Sequence, residues 1–176
     1  MPDSTNEAAI SCEGGCTCGN IRYRMFGPPL IVHGCHCRWC QRQSGSAFAI
    51  NALIEADRVE LLSGDVEEIT VPSPSGAGQT IARCPKCKVA VWSNYLVMRG
   101  GIGELVKFIR VGTLDEPDLH PPDIHIYTST KQPWLALPEN SRSVLEYYNT
   151  EAEWAPDSLE RRMRLIAAAK VRKSSA

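Results

Sequence analysis

The eight cysteines of this 176-residue chain fall into groups: Cys12, then Cys16 and Cys18, then Cys35, Cys37 and Cys40, then Cys84 and Cys87. Thiolates this closely spaced suit zinc, which takes four donors in a tetrahedron with Zn–S near about 2.3 Å. Cys84-Pro85-Lys86-Cys87 has the Cys-x-x-Cys form, in which one turn aims two sulfurs at one ion. Residues i and i+2 of a regular strand lie about 6.6 Å apart, too far to share a small ion. Cys16-Thr17-Cys18 is therefore expected on a tight turn, with Gly14, Gly15 and Gly19 supplying the backbone freedom. Two pairs separated by most of the chain make one complete set, so Cys16, Cys18, Cys84 and Cys87 read as a structural zinc site.

The remaining cluster, Cys35-His36-Cys37-Arg38-Trp39-Cys40, packs three thiols into six residues with no fourth cysteine close by. Three protein ligands and one open position is the pattern of a catalytic zinc, which brings the expected cofactor to two zinc ions per chain. His36, squeezed between two ligands, is expected to point away from the ion, and Cys12 is read as a bystander in a mobile terminus. Spacing alone leaves an iron–sulfur cluster or a purely structural scaffold open. Arg38, Arg42, Arg83, Lys86 and Lys88 flank the thiols and either favour their deprotonation or are ordinary solvated charges.

The elements that must position these groups are short. Period-two alternation and turn residues dominate from residue 19 to about residue 130, and predict strands over Ile21–Phe26, Phe48–Ile54, Val59–Leu62, Glu68–Val71, Gln79–Ala82, Val89–Trp92, Val106–Val111 and Ile124–Thr128 with no helices between them. That pattern is mainly β and argues against a parallel α/β sheet. Pro72 to Gly78 reads as a surface loop, and five prolines between Pro117 and Pro138 mark an extended, wrapped segment. Near the end, Asp157 and Glu160 form a capping box, and Leu159, Met163, Ile166 and Ala167 share one face of a helix. Its basic end, Lys170, Arg172 and Lys173, suits the helix dipole.

Hydrophobic residues make up 43% and charged residues 22% of the chain, which excludes a disordered composition and supports one core. A formal charge of -1 gives no general attraction to nucleic acid or anionic membranes. The first eleven residues lack the features of a secretory signal, and no apolar run approaches a membrane span, so a soluble cytoplasmic protein is expected. In a reducing compartment, metal ligation is the stronger reading of clustered cysteines.

Three blocks, Gly15-Cys16-Thr17-Cys18-Gly19-Asn20-Ile21-Arg22-Tyr23, Cys35-His36-Cys37-Arg38-Trp39-Cys40 continuing to Phe48, and Cys84-Pro85-Lys86-Cys87, together resemble the glutathione-dependent formaldehyde-activating enzyme family, which includes centromere protein V. Val111-Gly112-Thr113-Leu114-Asp115, Ile124-His125-Ile126-Tyr127 and Lys131-Gln132-Pro133-Trp134 are similar to its later blocks. The resemblance implies a β-tent of folded antiparallel sheets. It implies structural ligation by Cys16, Cys18, Cys84 and Cys87 and catalytic ligation by Cys35, Cys37 and Cys40. It also implies a carbon–sulfur lyase activity that joins glutathione and formaldehyde. The chain departs from the family pattern at Lys88, where glycine is usual, and at Gln41, where a basic residue is commoner.

The expected organisation is a disordered N-terminus over residues 1–11, a zinc-binding β domain over 12–148 and a helical extension over 149–176. The expected chemistry is addition of a thiol to a small aldehyde, or its reversal, with Ser44, Ser46, His125 and Lys131 as candidate substrate contacts. The rival expectation is a zinc module that binds a protein or, less readily, a nucleic acid without chemistry.

Overall fold

The computed structural model describes residues 11–73 and 75–174. Strands β1 (Ser11–Gly15), β2 (Arg22–Phe26) and β5 (Val59–Ser63) form one sheet in the order β1-β2-β5. Strands β3 (Ile31–Cys35), β4 (Ala49–Glu55), β6 (Glu67–Val71), β7 (Gln79–Arg83), β8 (Ala90–Tyr95), β9 (Val106–Arg110) and β10 (Ile124–Ile126) form a second, in the order β10-β3-β4-β9-β8-β7-β6. Within these sheets every pairing is antiparallel except that of β10 with β3. The described residues also form three α-helices, α1 (Arg38–Ser44), α2 (Thr150–Glu153) and α3 (Pro156–Ser174), and several single 3-10 turns. None of the described helices is long and apolar enough to cross a membrane.

The mainly β expectation holds, with strands β1 and β3 and helices α1 and α2 added. Strand β3 escapes period-two reading because all five of its residues are buried, so both faces are apolar-facing and nothing alternates. Helix α1 is seven residues long, too short for a helical stripe, and interrupts the expected run of strands. Of the segment expected to be disordered, residues 1–10 lie outside the described residues, while Ser11 opens β1 opposite Phe26. Cys12 is thus a strand residue rather than part of a loose end, and its Sγ lies 3.3 Å from His120 Nε2.

The large sheet separates two apolar clusters. Directly opposed residues of neighbouring strands share a face, and successive residues alternate. Val32, Ala52, Ile109, Trp92 and Ala82 therefore line one face, where they meet Tyr23 and Met25 of the small sheet. Tyr23 and Trp92 pack edge to face at 5.5 Å. Ile31, Cys35, Ala49, Leu53 and Phe108 line the other face, covered by Cys40 of α1, by Trp154 at the end of α2 and by Ala169 of α3.

Helix α3 lies on this second face with Leu159 and Ile166 packed inward as expected, but the rest of its buried stripe differs. Met163 and Ala167 are exposed, while Ser158, Arg161 and Ala169 are buried and Leu165 and Ile166 pack inward. The reason is a charge: Arg161 turns inward to meet Glu55 through two parallel bonds, Nε to Oε1 at 2.7 Å and Nη2 to Oε2 at 2.5 Å, and donates a third to the Pro28 carbonyl at 2.9 Å. Burial opposes charge on Glu55, but the Arg161 bonds prevail and hold its carboxyl below the ordinary value. The helix starts at Pro156, so Asp157 sits inside the first turn rather than capping it.

Candidate metal centres

Two hairpin loops present the first cysteine group. In one, Cys16 N donates to Ile21 O at 3.1 Å and Gly19 N to Cys16 O at 3.0 Å. In the other, Cys84 N donates to Val89 O at 2.9 Å and Lys88 N to Cys84 O at 3.0 Å. Each loop needs a left-handed residue, supplied by Gly19 at φ 73° and by Lys88 at φ 64°. A non-glycine residue there costs roughly 1–2 kcal/mol, so glycine is the residue that fits this position with least strain. Lys88 Nζ ties this loop to Glu67 Oε2 at 3.0 Å.

The loops bring four sulfurs within 4.8 Å of one another. Cys16 and Cys18 Sγ are 3.5 Å apart, Cys18 and Cys84 Sγ 3.7 Å, close to the edge of about 3.8 Å of a tetrahedron with Zn–S near 2.3 Å. Backbone amides point at the sulfurs, Ile21 N at Cys16 Sγ (3.2 Å) and Lys86 N at Cys84 Sγ (3.4 Å). Amides of Val89 and Cys18 help pull the Cys87 thiol down to about 6. Four thiols this close together, with backbone amides favouring the thiolate at Cys16 and Cys87, can hold a metal ion.

The second group arises where β3 runs into α1. Cys35 ends the strand, Cys37 is the N-cap of the helix and accepts from Cys40 N at 3.4 Å, and Cys40 lies one turn in. Gly45 closes the helix in the left-handed conformation. The three sulfurs also lie within 4.8 Å of one another, with Cys35 and Cys40 buried and Cys37 half-buried. Contacts from Cys35 and Cys40 hold the Cys37 thiol far below its usual value, while the same cluster and burial push Cys35 up. These donors also fit a metal ion, and supply three of the four ligands zinc takes.

Strand alternation sends His36 to the opposite face from Cys35. There its Nε2 meets His125 Nδ1 at 2.9 Å and its ring stacks on Phe48 at 4.9 Å, while its buried Nδ1 has no hydrogen-bond partner. Gly34 makes the approach possible, since a Cβ there would stand 2.6 Å from His125 Nδ1. His125 is thus placed against His36, away from the three sulfurs. Lys131 Nζ is turned to the carbonyls of Gln132 (3.2 Å) and Leu135 (2.5 Å). Ser46 donates to Phe48 O and faces a concavity of about 680 Å³ with Arg38, Arg42, Gln132 and Trp134.

Ser44 is tied to the helix that carries Cys40, donating to Cys40 O at 2.7 Å, and lines a separate cleft of about 480 Å³ with Phe48, Ala49, Ile50, Lys88 and Arg110. Sequence reading passed over Arg110, since a basic residue at the end of a strand carries no signal until its neighbours are known. The wall beyond the trio is also only visible in three dimensions. Residues 142–146 run beside β10, with Val144 N donating to His125 O at 2.9 Å and Tyr127 N to Glu146 O at 2.9 Å. Tyr148 OH meets His33 Nε2 at 2.5 Å and accepts from Trp154 Nε1 at 2.8 Å.

A mainly β protein with one four-thiol and one three-thiol group suited to metal ions is the class that this geometry defines. The family model described as glutathione-dependent formaldehyde-activating enzyme matches residues 11–130, and the chain belongs to that family. A Halomonas elongata protein, provisionally named a glutathione-dependent formaldehyde-activating enzyme, is 27% identical over 150 residues, 81% of this chain and 92% of that protein. A crystal structure of a Rhodobacter sphaeroides protein is 16% identical, covering 62% of this chain and 96% of that one with a TM-score of 0.43.

Proposed function

We propose that the chain is a zinc-dependent carbon–sulfur lyase of the glutathione-dependent formaldehyde-activating type, joining a thiol such as glutathione to a small aldehyde or splitting the adduct. The observation that carries this reading is the convergence of three sulfurs, Cys35, Cys37 and Cys40, with no fourth among the described residues, linked through Ser44 and Arg110 to a cleft that these two residues line. In this reading Cys16, Cys18, Cys84 and Cys87 hold a structural zinc and the trio a catalytic one. A zinc ion with a fourth position open supplies a Lewis acid that favours the thiolate form of an incoming thiol. The chain's own part is positional. Cys40 N and the first turn of α1 hold Cys37, and Gln41 Nε2, bonded to His36 O (2.6 Å) and Thr130 O (2.9 Å), fixes the loop between the ligands.

The proposed unit of activity is residues 12–148, with 149–176 an extension clamped on by Arg161, and a reducing cytoplasm is the compartment that suits eight free thiols. The test is exchange of carbon-13-labelled formaldehyde into S-hydroxymethylglutathione, followed by NMR on zinc-loaded protein. Exchange above the uncatalysed rate that disappears in Cys37→Ser is expected. Exchange at the uncatalysed rate by a wild type carrying two zinc ions would sink the reading.

A further inference from the structure

Arg110 ends β9 and points to the same face as Cys35, through the opposed pairs Cys35–Ala49 and Asn51–Arg110 and the i, i+2 relation of Ala49 to Asn51. Its guanidinium is held rigidly by two neutral amides: Nη1 donates to Asn51 Oδ1 at 2.6 Å and Nη2 to Gln43 Oε1 at 3.1 Å. Gln43 is fixed in turn, its Nε2 donating to Gln79 Oε1 at 3.0 Å, and Gln79 Nε2 donates to Ser93 Oγ at 2.7 Å. Asn51, Gln79 and Ser93 are buried. Among the described residues no carboxylate pairs with Arg110.

This is unusual placement for a half-buried cation. Other arginines here meet carboxylates: Arg22 with Asp115, Arg24 with Glu13, Arg83 with Glu67, Arg161 with Glu55. Arg110 instead uses two of its five N–H groups on neutral oxygens, leaving three donors and the full charge on the wall of the 480 Å³ cleft, whose rim carries Ser44 one helical turn beyond Cys40. A guanidinium preorganised by a buried amide chain, with no carboxylate partner and with the Cys40 thiol near enough to feel its charge, is complementary to an anion that arrives with the substrate beside the trio.

We propose that Arg110 is the anion-holding residue of this cleft, taking a negatively charged oxygen of the substrate beside the three-cysteine site. The inference rests on the lyase reading. In that reaction the thiolate sulfur pair forms the C–S bond, the C=O π pair moves onto oxygen, and the alkoxide takes up the proton the thiol released. The anionic oxygen can be that alkoxide or a carboxylate of the thiol substrate. The two share their chemistry and part in kinetics.

The test uses zinc-loaded, full-length Arg110→Gln, Arg110→Lys and Asn51→Asp, with glutathione and with uncharged 2-mercaptoethanol as thiols. Asn51→Asp keeps the guanidinium in place and gives it a competing carboxylate, so it reads the assignment even where Arg110→Gln fails to fold. Loss of about 100-fold in kcat/KM is expected for Arg110→Gln and Asn51→Asp, with partial recovery in Arg110→Lys. An alkoxide role lowers kcat equally with both thiols. A carboxylate role raises KM for glutathione and vanishes with 2-mercaptoethanol. Cobalt-substituted protein with unchanged d–d bands for both sites shows that the metal groups are intact. Wild-type constants in Arg110→Gln and Asn51→Asp overturn the assignment of Arg110 alone. Failure of the wild type to turn over either thiol overturns the lyase reading. Arg110 is then decided by calorimetry with S-methylglutathione, where at least about tenfold weaker binding to Arg110→Gln upholds it and equal binding overturns it.

Discussion

The two cysteine groups are built in opposite ways. The four-thiol group joins two hairpin loops 66 residues apart, from Cys18 to Cys84, and leaves Cys18 exposed. The three-thiol group comes from one six-residue stretch at a strand–helix junction and is sunk into the second apolar cluster, with Cys35 and Cys40 buried. A site that ties distant segments is held by the fold and holds the fold in return. A site made locally depends on the rest of the chain for its walls, here α1, residues 142–148 and α3. Its ligands can be changed with less consequence for folding.

The largest expected effect tests that contrast directly. Cys84→Ser should abolish cooperative folding, because the structural zinc proposed there would contribute roughly 10 kcal/mol or more, whereas Cys37→Ser should fold and lose one metal and the proposed turnover. Circular dichroism with metal analysis reads both, and equal outcomes would break the comparison.

Breaking the Glu55–Arg161 pair, with side chains 9% and 10% exposed, should come next. Glu55→Gln strands the buried Arg161 charge, at a cost of about 3–5 kcal/mol by denaturant unfolding; Arg161→Ala should cost less, because Arg58 stays 3.7 Å from Glu55, and Glu55→Gln with Arg161→Met should recover much of the loss. Loss confined to the α3 side would leave the cobalt spectrum of the four-thiol site unchanged.

The strand that carries Cys35 should show a pH signature. Burial pushes His33 down to about 3, below its ordinary value, so the unfolded chain binds the proton first. Its contribution is complete above about pH 6.5 and is lost as pH falls toward 3, at up to about 1.4 kcal/mol per pH unit. The difference between stability–pH curves of wild type and His33→Gln measures it, and parallel curves would contradict it.

The smallest effect lies in the four-thiol loop. Lys88→Gly and Lys88→Ala both lose the Glu67 contact, so the glycine variant should be more stable than the alanine one by about 1 kcal/mol, the cost of a side chain at φ 64°. Equal melting temperatures would show that the loop relaxes.

Much of this was legible before any coordinates, for a simple reason. Metal ligands are chemically distinctive and their spacing is constrained, so the grouping of seven cysteines could be read directly, and the geometry brings the same seven together. Most strands follow from alternation, a local property. Strand β3 and helix α1 did not, because one is buried on both faces and the other is too short to show a period. On α3, Leu159 and Ile166 pack inward as expected, but hydrophobicity favoured Met163, while a partner 106 residues away drew Arg161 inward.

By itself, the sequence determined which atoms can bind metal and that they divide four and three, since thiol chemistry and short spacing are written in the chain. Only the tertiary structure decided what surrounds the trio. Sheet register turns His36 away toward His125 and sets Arg110 on the face of Cys35, and residues beyond 140 wall the site. Those relations depend on strand pairing across long separations, where a shift of one residue would send every side chain to the other face.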